Sequence, residues 1–234
     1  MNVEIWSDVM CPFCYIGKRK FENALMQFPH KDKINIIWKS FQLEPTTVTD
    51  PSLNTIEHLA YKKGWSKQQA QKTMAHVTNI AKQVGLDFHF NKAVVANSFD
   101  AHRLSHLTKK HGKQNDLEEK LFLAYFTEGK NTADHSTLLQ IAKEIGLDEK
   151  ETTEVLNSTT YSAEVKQDII EAQQVGVSGV PFFLIDKKYA VSGAQESETF
   201  LGALTKAYQE HANGILEPIA PNNFFGCGSE GCDV

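Results

Sequence analysis

The apolar positions of the first forty residues change period twice. Val3, Ile5 and Trp6 form a short apolar run that predicts a strand over 2–6. Phe13, Ile16, Phe21, Ala24, Leu25 and Phe28 then recur at helical spacing, and the stretch INIIW over 34–38 returns to strand character. Pro12 suits the first turn of the helix, where its missing N–H would have found no partner anyway. The pattern is a βαβ unit within residues 1–54, with Cys11-Pro12-Phe13-Cys14 at the strand-to-helix junction.

From about Thr55 to Tyr161 the pattern is helix after helix, an all-helical insertion over 55–160. Ser66 and Gln69 read as a capping-box start, with Met74, Val77, Ala81 and Val84 on one face of the helix that follows. The similar segments IAKQVGLD (80–87) and IAKEIGLD (141–148) have unmatched flanks. They read as one shared helix stop, a left-handed glycine with the next leucine folding back, and not as a duplication. Strand character returns only at VPFFLID (180–186) and YAVSG (189–193), joined by a turn at Lys187-Lys188, before a last helix over 196–211. Residues 161–211 are thus the second half of the sheet-bearing part, and 212–234 an irregular tail. The simplest assembly puts the βαβ unit and the hairpin in one sheet, with the helical middle over one end. This is an α/β, thioredoxin-like fold with a large helical insertion.

Composition narrows the function classes. The chain has 234 residues, is 41% hydrophobic and 23% charged, and carries a net charge of −5. No basic run exceeds Lys18-Arg19-Lys20, which argues against a nucleic-acid partner, and no apolar stretch approaches the length of a membrane span. Met1 runs straight into a strand with no secretory pattern, so a cytoplasmic location is expected, where cysteines stay reduced unless transiently redox-active or metal-bound. Four cysteines at opposite ends, Cys11 and Cys14 against Cys227 and Cys232, are too few and too polarised for a disulfide-stapled scaffold.

A redox dithiol needs an attacking thiol that is exposed and partly ionised, and a second thiol close enough to resolve the mixed disulfide. A helix N-terminus favours a thiolate, which makes Cys11 at the N-cap the nucleophile and Cys14, one turn inward, the resolving thiol. Zinc is the competing use of C-x-x-C. It would need partners such as Cys227 and Cys232, or His102 and His106 one turn apart. The βαβ placement and Pro12 favour redox, with no metal site expected. GVSGVPFF places Pro181 at the head of a strand. In a thioredoxin-like sheet that position lies beside the dithiol, and a cis Val180–Pro181 bond there would turn the Val180 backbone toward Cys11 and an incoming substrate. A trans proline starting an edge strand is the plainer alternative.

With both motifs in place, the chain resembles the DsbA-type thiol–disulfide oxidoreductases, and more narrowly their cytoplasmic FrnE-like branch. SDVMCPFCYIGK, ANSFDAHRL and GVSGVPFFLIDKKYAVSGAQ carry the likeness, which spans nearly all of residues 1–212. The resemblance implies a thiol–disulfide oxidoreductase or isomerase acting on protein or small-molecule disulfides. Cys11 and Cys14 would be catalytic, and Pro12, Phe13, Val180 and Pro181 would shape substrate binding. It implies no bound cofactor, with glutathione or a protein thiol as co-substrate. Oligomeric state stays open.

The 2-hydroxychromene-2-carboxylate isomerases and kappa-class glutathione transferases share the fold and bind glutathione but carry serine where Cys11 stands, so a glutathione-dependent isomerase is the runner-up. Periplasmic DsbA has histidine where Phe13 stands; phenylalanine cannot lend the attacking thiolate a positive neighbour, so a weaker oxidant is expected. In the tail, Cys227 and Cys232 form a C-x-x-x-x-C behind Phe224 and Phe225. An accessory disulfide shuttle is favoured over a metal site or an inert tail. Among the remaining polar residues, Trp6 reads as core, Asp8 as a turn or cap residue, Asn97 or Ser98 as a helix cap, and His102 with His106 as a solvated helix face. By resemblance, Asn97, His102 and Arg103 belong to a stretch facing the active-site cleft.

Overall fold

The computed structural model describes residues 1–214; Cys227, Cys232 and the aromatic pair before them lie outside the described residues. Strand β1 (Asn2–Ser7) is buried from Val3 onward, which a strand covered on both faces requires. It pairs in parallel with β2 (Asn35–Ser40) and antiparallel with β5 (Phe182–Ile185), and β6 (Tyr189–Ser192) completes the order β2-β1-β5-β6. The βαβ unit and the hairpin therefore share one sheet, as their apolar patterns predict. The hairpin turn is centred one residue earlier than expected: Asp186 and Lys187 take φ of 52° and 55°, and the Lys188 N–H donates to the Ile185 carbonyl at 3.0 Å. Two central residues with positive φ give the turn whose twist suits a two-residue hairpin.

Helix α1 (Pro12–Gln27) connects the parallel pair, and α9 (Ser197–Gly214) lies beside it on the same sheet face. Between them and the strands, Val3, Ile5, Phe21, Trp38, Phe183, Phe200 and Leu204 form a dense core. The opposite face packs Trp6 and Phe182 against Ala172 of α8 (Ser162–Val175).

The middle of the chain carries helices α2 (Thr55–Lys63), α3 (Lys67–Gln83), α4 (Phe99–Lys110), α5 (Gln114–Phe122), α6 (His135–Glu144) and α7 (Glu149–Leu156), with a π-helical turn over Leu123–Glu128. The Ser66 hydroxyl accepts from the Gln69 N–H at 3.1 Å, as the capping pattern predicts. Both shared helix stops form. Gly85 and Gly146 sit at φ of 78° and 74°, and Leu86 and Leu147 donate back to the Ala81 and Ala142 carbonyls.

One element contradicts the expectation of helices alone in this region. Strand β3 (Asp50–Asn54) pairs antiparallel with β4 (Val94–Val95) in a second, two-stranded sheet. Asp, Pro, Ser and Asn are poor strand formers, so local composition hides the pair. Non-local bonds make it: the Thr55 N–H and hydroxyl both donate to the Ala93 carbonyl, and the Asn54 side chain donates to the Asn91 carbonyl.

An ion cluster ties α1 to α5. The Glu119 carboxylate accepts from the Tyr15 hydroxyl at 2.6 Å, from Lys18 at 2.8 Å and from Arg19 at 2.8 Å. Burial works to raise the Glu119 pKa, but these donors outweigh it and hold the group at about 2, against an ordinary 4.5. A depressed folded-state pKa gives stability that is complete above the unfolded value and lost as pH falls toward the folded one. Glu119→Gln is therefore expected to lower the urea midpoint most above about pH 5, with the difference from wild type shrinking between about 4.5 and 2. Midpoints measured across that range check it, and a difference independent of pH would contradict it.

Candidate active site

Cys11 is the N-cap of α1, Pro12 its first residue, and Cys14 lies one turn in, with its N–H donating to the Cys11 carbonyl at 3.0 Å. Both are free thiols. The Val180–Pro181 peptide is cis, and the Cys11 thiol donates to the Val180 carbonyl at 3.4 Å. Residues 169 positions apart in sequence thus meet at one point, where the end of the sheet adjoins the insertion. Cys11 and Cys14 pack in the cluster that also holds Leu104, Leu121, Phe122 and Phe126 of the insertion.

The expectation of an exposed attacking thiol is not met: Cys11 is 4% exposed and Cys14 1%. The thiol of Cys11 is turned onto the Val180 carbonyl, and the exposed part of the motif is the ring of Phe13, at 41%. Val180 is half-buried and Pro181 buried. Burial raises the Cys14 pKa well above its ordinary value, and the neighbouring Cys11 raises it further. Cys14 is therefore held as the protonated partner of the pair.

Asp8 is more than a turn residue. Its carbonyl accepts the Cys11 N–H at 3.0 Å, and its buried carboxylate accepts the Met10 N–H at 3.3 Å and the Leu43 N–H at 2.7 Å. It pins the dithiol turn to the segment that follows β2. His102 Nε2 lies 3.7 Å from this carboxylate.

The solvated-face reading of the two histidines is overturned, for His102 is 2% exposed and His106 9%. Each faces its own carboxylate, so the helix spacing reflects burial against two acidic groups. His106 Nε2 lies 3.1 Å from Asp168 Oδ2 and 3.2 Å from the Ser40 hydroxyl. For His102, burial opposes the imidazolium, but Asp8, Glu118 and the Phe41 carbonyl outweigh it and raise the pKa. Burial raises the Glu118 pKa against the pull of His102, Ser105 and Lys18.

Arg103 does not join the dithiol. Its guanidinium donates to the Thr160 carbonyl at 2.9 Å, the Ser158 carbonyl at 2.6 Å and the Val155 carbonyl, and pairs with Asp100 at 2.7 Å. Asn97 accepts the Phe99 N–H at 2.9 Å and donates to the Thr47 carbonyl at 2.8 Å, so it both caps α4 and stitches a loop. The Trp6 indole is fully buried, as expected, and donates to the Asp168 carbonyl. Among the described residues no group of three His, Cys, Asp or Glu side chains is placed to hold a metal ion, and no helix is long and apolar enough to cross a membrane.

The probable DsbA oxidoreductase SCO1869 from Streptomyces coelicolor is 38% identical, with 100% of this chain and 99% of that one covered at a TM-score of 0.84. The uncharacterized protein YwbO of Bacillus subtilis (strain 168) is 26% identical over 207 residues, covering 88% of this chain and 96% of its own. A 2-hydroxychromene-2-carboxylate isomerase shares the fold at 14% identity and a TM-score of 0.67, covering 91% of this chain and 98% of its own. The family model described as a DSBA-like thioredoxin domain matches residues 2–205, and the chain belongs to that family.

Proposed function

We propose that the protein exchanges disulfides with protein or small-molecule substrates through Cys11 and Cys14, as an oxidoreductase or isomerase of the FrnE-like branch. The observation that carries this reading is the meeting of a free dithiol at a helix N-terminus with the Val180 carbonyl, 3.4 Å from the Cys11 sulfur. The Cys11 thiolate attacks one sulfur of a substrate disulfide, the other sulfur leaves as a thiolate and takes a proton, and a mixed disulfide forms. Cys14 then gives up its proton and displaces the substrate from Cys11. The protein ends as the Cys11–Cys14 disulfide, two electrons having passed to the substrate. A reducing thiol such as glutathione reverses the sequence, and substrate oxidation runs it backward. The Cys11 thiol must leave the Val180 carbonyl to react, which frees that carbonyl to accept a backbone N–H from a peptide substrate. Pro12 and Phe13 complete the face a substrate meets. A cytoplasmic location belongs to the same proposal.

The runner-up, a glutathione-dependent isomerase, has no use for a second thiol. Cys14→Ser separates the two. Disulfide turnover is expected to fail at the resolving step, with the mixed disulfide accumulating on Cys11 and visible by mass spectrometry, whereas an isomerase would keep its rate.

The exposed phenyl ring of Phe13 brings no charge to the dithiol. The reduction potential is therefore expected below the roughly −120 mV of DsbA, in the direction of the roughly −270 mV of thioredoxin. Equilibration with a glutathione redox buffer measures it, and a value at or above that of DsbA would refute the argument.

A further inference from the structure

Gly17 stands in the interior of α1 and is buried. An interior helical glycine costs about 0.5–1 kcal/mol relative to alanine, so its presence calls for a local reason. The reason is spatial. A Cβ built on Gly17 would lie 2.9 Å from Cγ of Pro181 and 3.5 Å from both Cα and Cβ of Ala194. The first distance is shorter than such contacts tolerate, and its partner is a ring atom that cannot swing aside as a flexible side chain would.

The surroundings leave Pro181 little room to retreat. Its carbonyl accepts the Gly193 N–H at 2.8 Å, and the Gln195 N–H donates to the Gly193 carbonyl at 3.0 Å. One turn along α1, Lys20 donates to the Ala194 carbonyl at 3.4 Å and pairs with Glu196 at 2.6 Å, while the Ser197 hydroxyl donates to the Lys20 carbonyl at 2.9 Å. The segment after β6 is thus laced to α1 on one side and to Pro181 on the other. Pro181 follows Val180, whose carbonyl meets the Cys11 thiol.

We infer that Gly17 is a positioning residue for disulfide exchange: its missing side chain lets the Pro181 ring rest on the dithiol helix and thereby fixes the Val180 carbonyl against Cys11. This rests on the proposed function. A side chain at position 17 leaves both cysteines in place and shifts Val180 and Pro181, so substrate binding is weakened while the Cys11 thiol loses its acceptor.

A double-mutant cycle tests this. Gly17→Ala is expected to lower kcat/KM for a disulfide-bearing peptide about tenfold, mainly through KM; a full ångström of misplacement can cost about a hundredfold. The rate of Cys11 alkylation by iodoacetamide should rise, because the shifted Val180 carbonyl no longer holds the thiol. In a Pro181→Ala background, where the clashing ring atom is gone, adding Gly17→Ala should cost nothing further. Exchange of the Gly193 amide, whose acceptor is the Pro181 carbonyl, gives a readout independent of turnover and should speed up in Gly17→Ala. Wild-type KM with unaltered Gly193 exchange overturns the inference, as does an equal loss in both backgrounds. If the parent protein turned over no disulfide, the functional reading would fail by itself, and Gly193 exchange would still decide whether Gly17 positions Pro181.

Discussion

Dithiothreitol-driven reduction of insulin is expected to fall to the enzyme-free rate in Cys11→Ser, while a variant lacking both Cys227 and Cys232 keeps turnover. The expectation follows from the division of labour at the N-terminus of α1. Cys11 caps the helix and meets the carbonyl of Val180. Cys14 is 1% exposed and held protonated by burial and by its partner. A serine hydroxyl at position 11 is not ionised at neutral pH and forms no mixed disulfide, and Cys14, held protonated one turn inside the helix, does not take over the attack. Failure should therefore be complete in Cys11→Ser, in contrast to the trapped intermediate of Cys14→Ser. Equal rates in wild type and Cys11→Ser would sink the oxidoreductase reading. Loss of activity in the tail variant alone would move the reaction to Cys227 and Cys232.

Periodicity made the sheet-bearing part legible, because β1, α1, β2 and the hairpin each bury a face against one sheet. The placement of the two motifs was legible for the same local reason: Pro12 marks a helix start and Pro181 a strand start. What stayed hidden depends on partners far along the chain. His102 and His106 look like a surface pair because their carboxylates, Asp8 and Asp168, lie 94 positions before one and 62 after the other. The β3–β4 ribbon looks like loop because its bonds come from Thr55 and Asn54 reaching across to 91–93. Gly17 did leave a local signal, a glycine inside a helical period, but the ring it accommodates lies 164 residues away. The burial of Cys11 could not be read at all, because the Val180 carbonyl it faces lies 169 positions along the chain.

Arg103 is where resemblance and geometry part, and its replacement has the largest expected effect on stability. The family likeness of ANSFDAHRL points toward the cleft, whereas the guanidinium, 3% exposed, gathers the Val155, Ser158 and Thr160 carbonyls at the end of α7 and the approach to α8. The last carbonyls of a helix have no partner within it, and here a side chain from α4 adds a donor to that of Val155 and to the two carbonyls that follow α7. Arg103→Met keeps the aliphatic stem and removes every one of those bonds. The Val155 carbonyl keeps the Ser158 N–H and hydroxyl as donors, and the exposed Ser158 and Thr160 can turn theirs to water, so the lost bonds cost about 2 kcal/mol in sum. For a chain of this size that lowers Tm by roughly 4–8 °C. Because no bond of Arg103 reaches the dithiol, kcat/KM of the folded variant at 25 °C should stay near wild type. A large loss of kcat/KM with an unchanged Tm would place Arg103 in the substrate path and restore the cleft assignment.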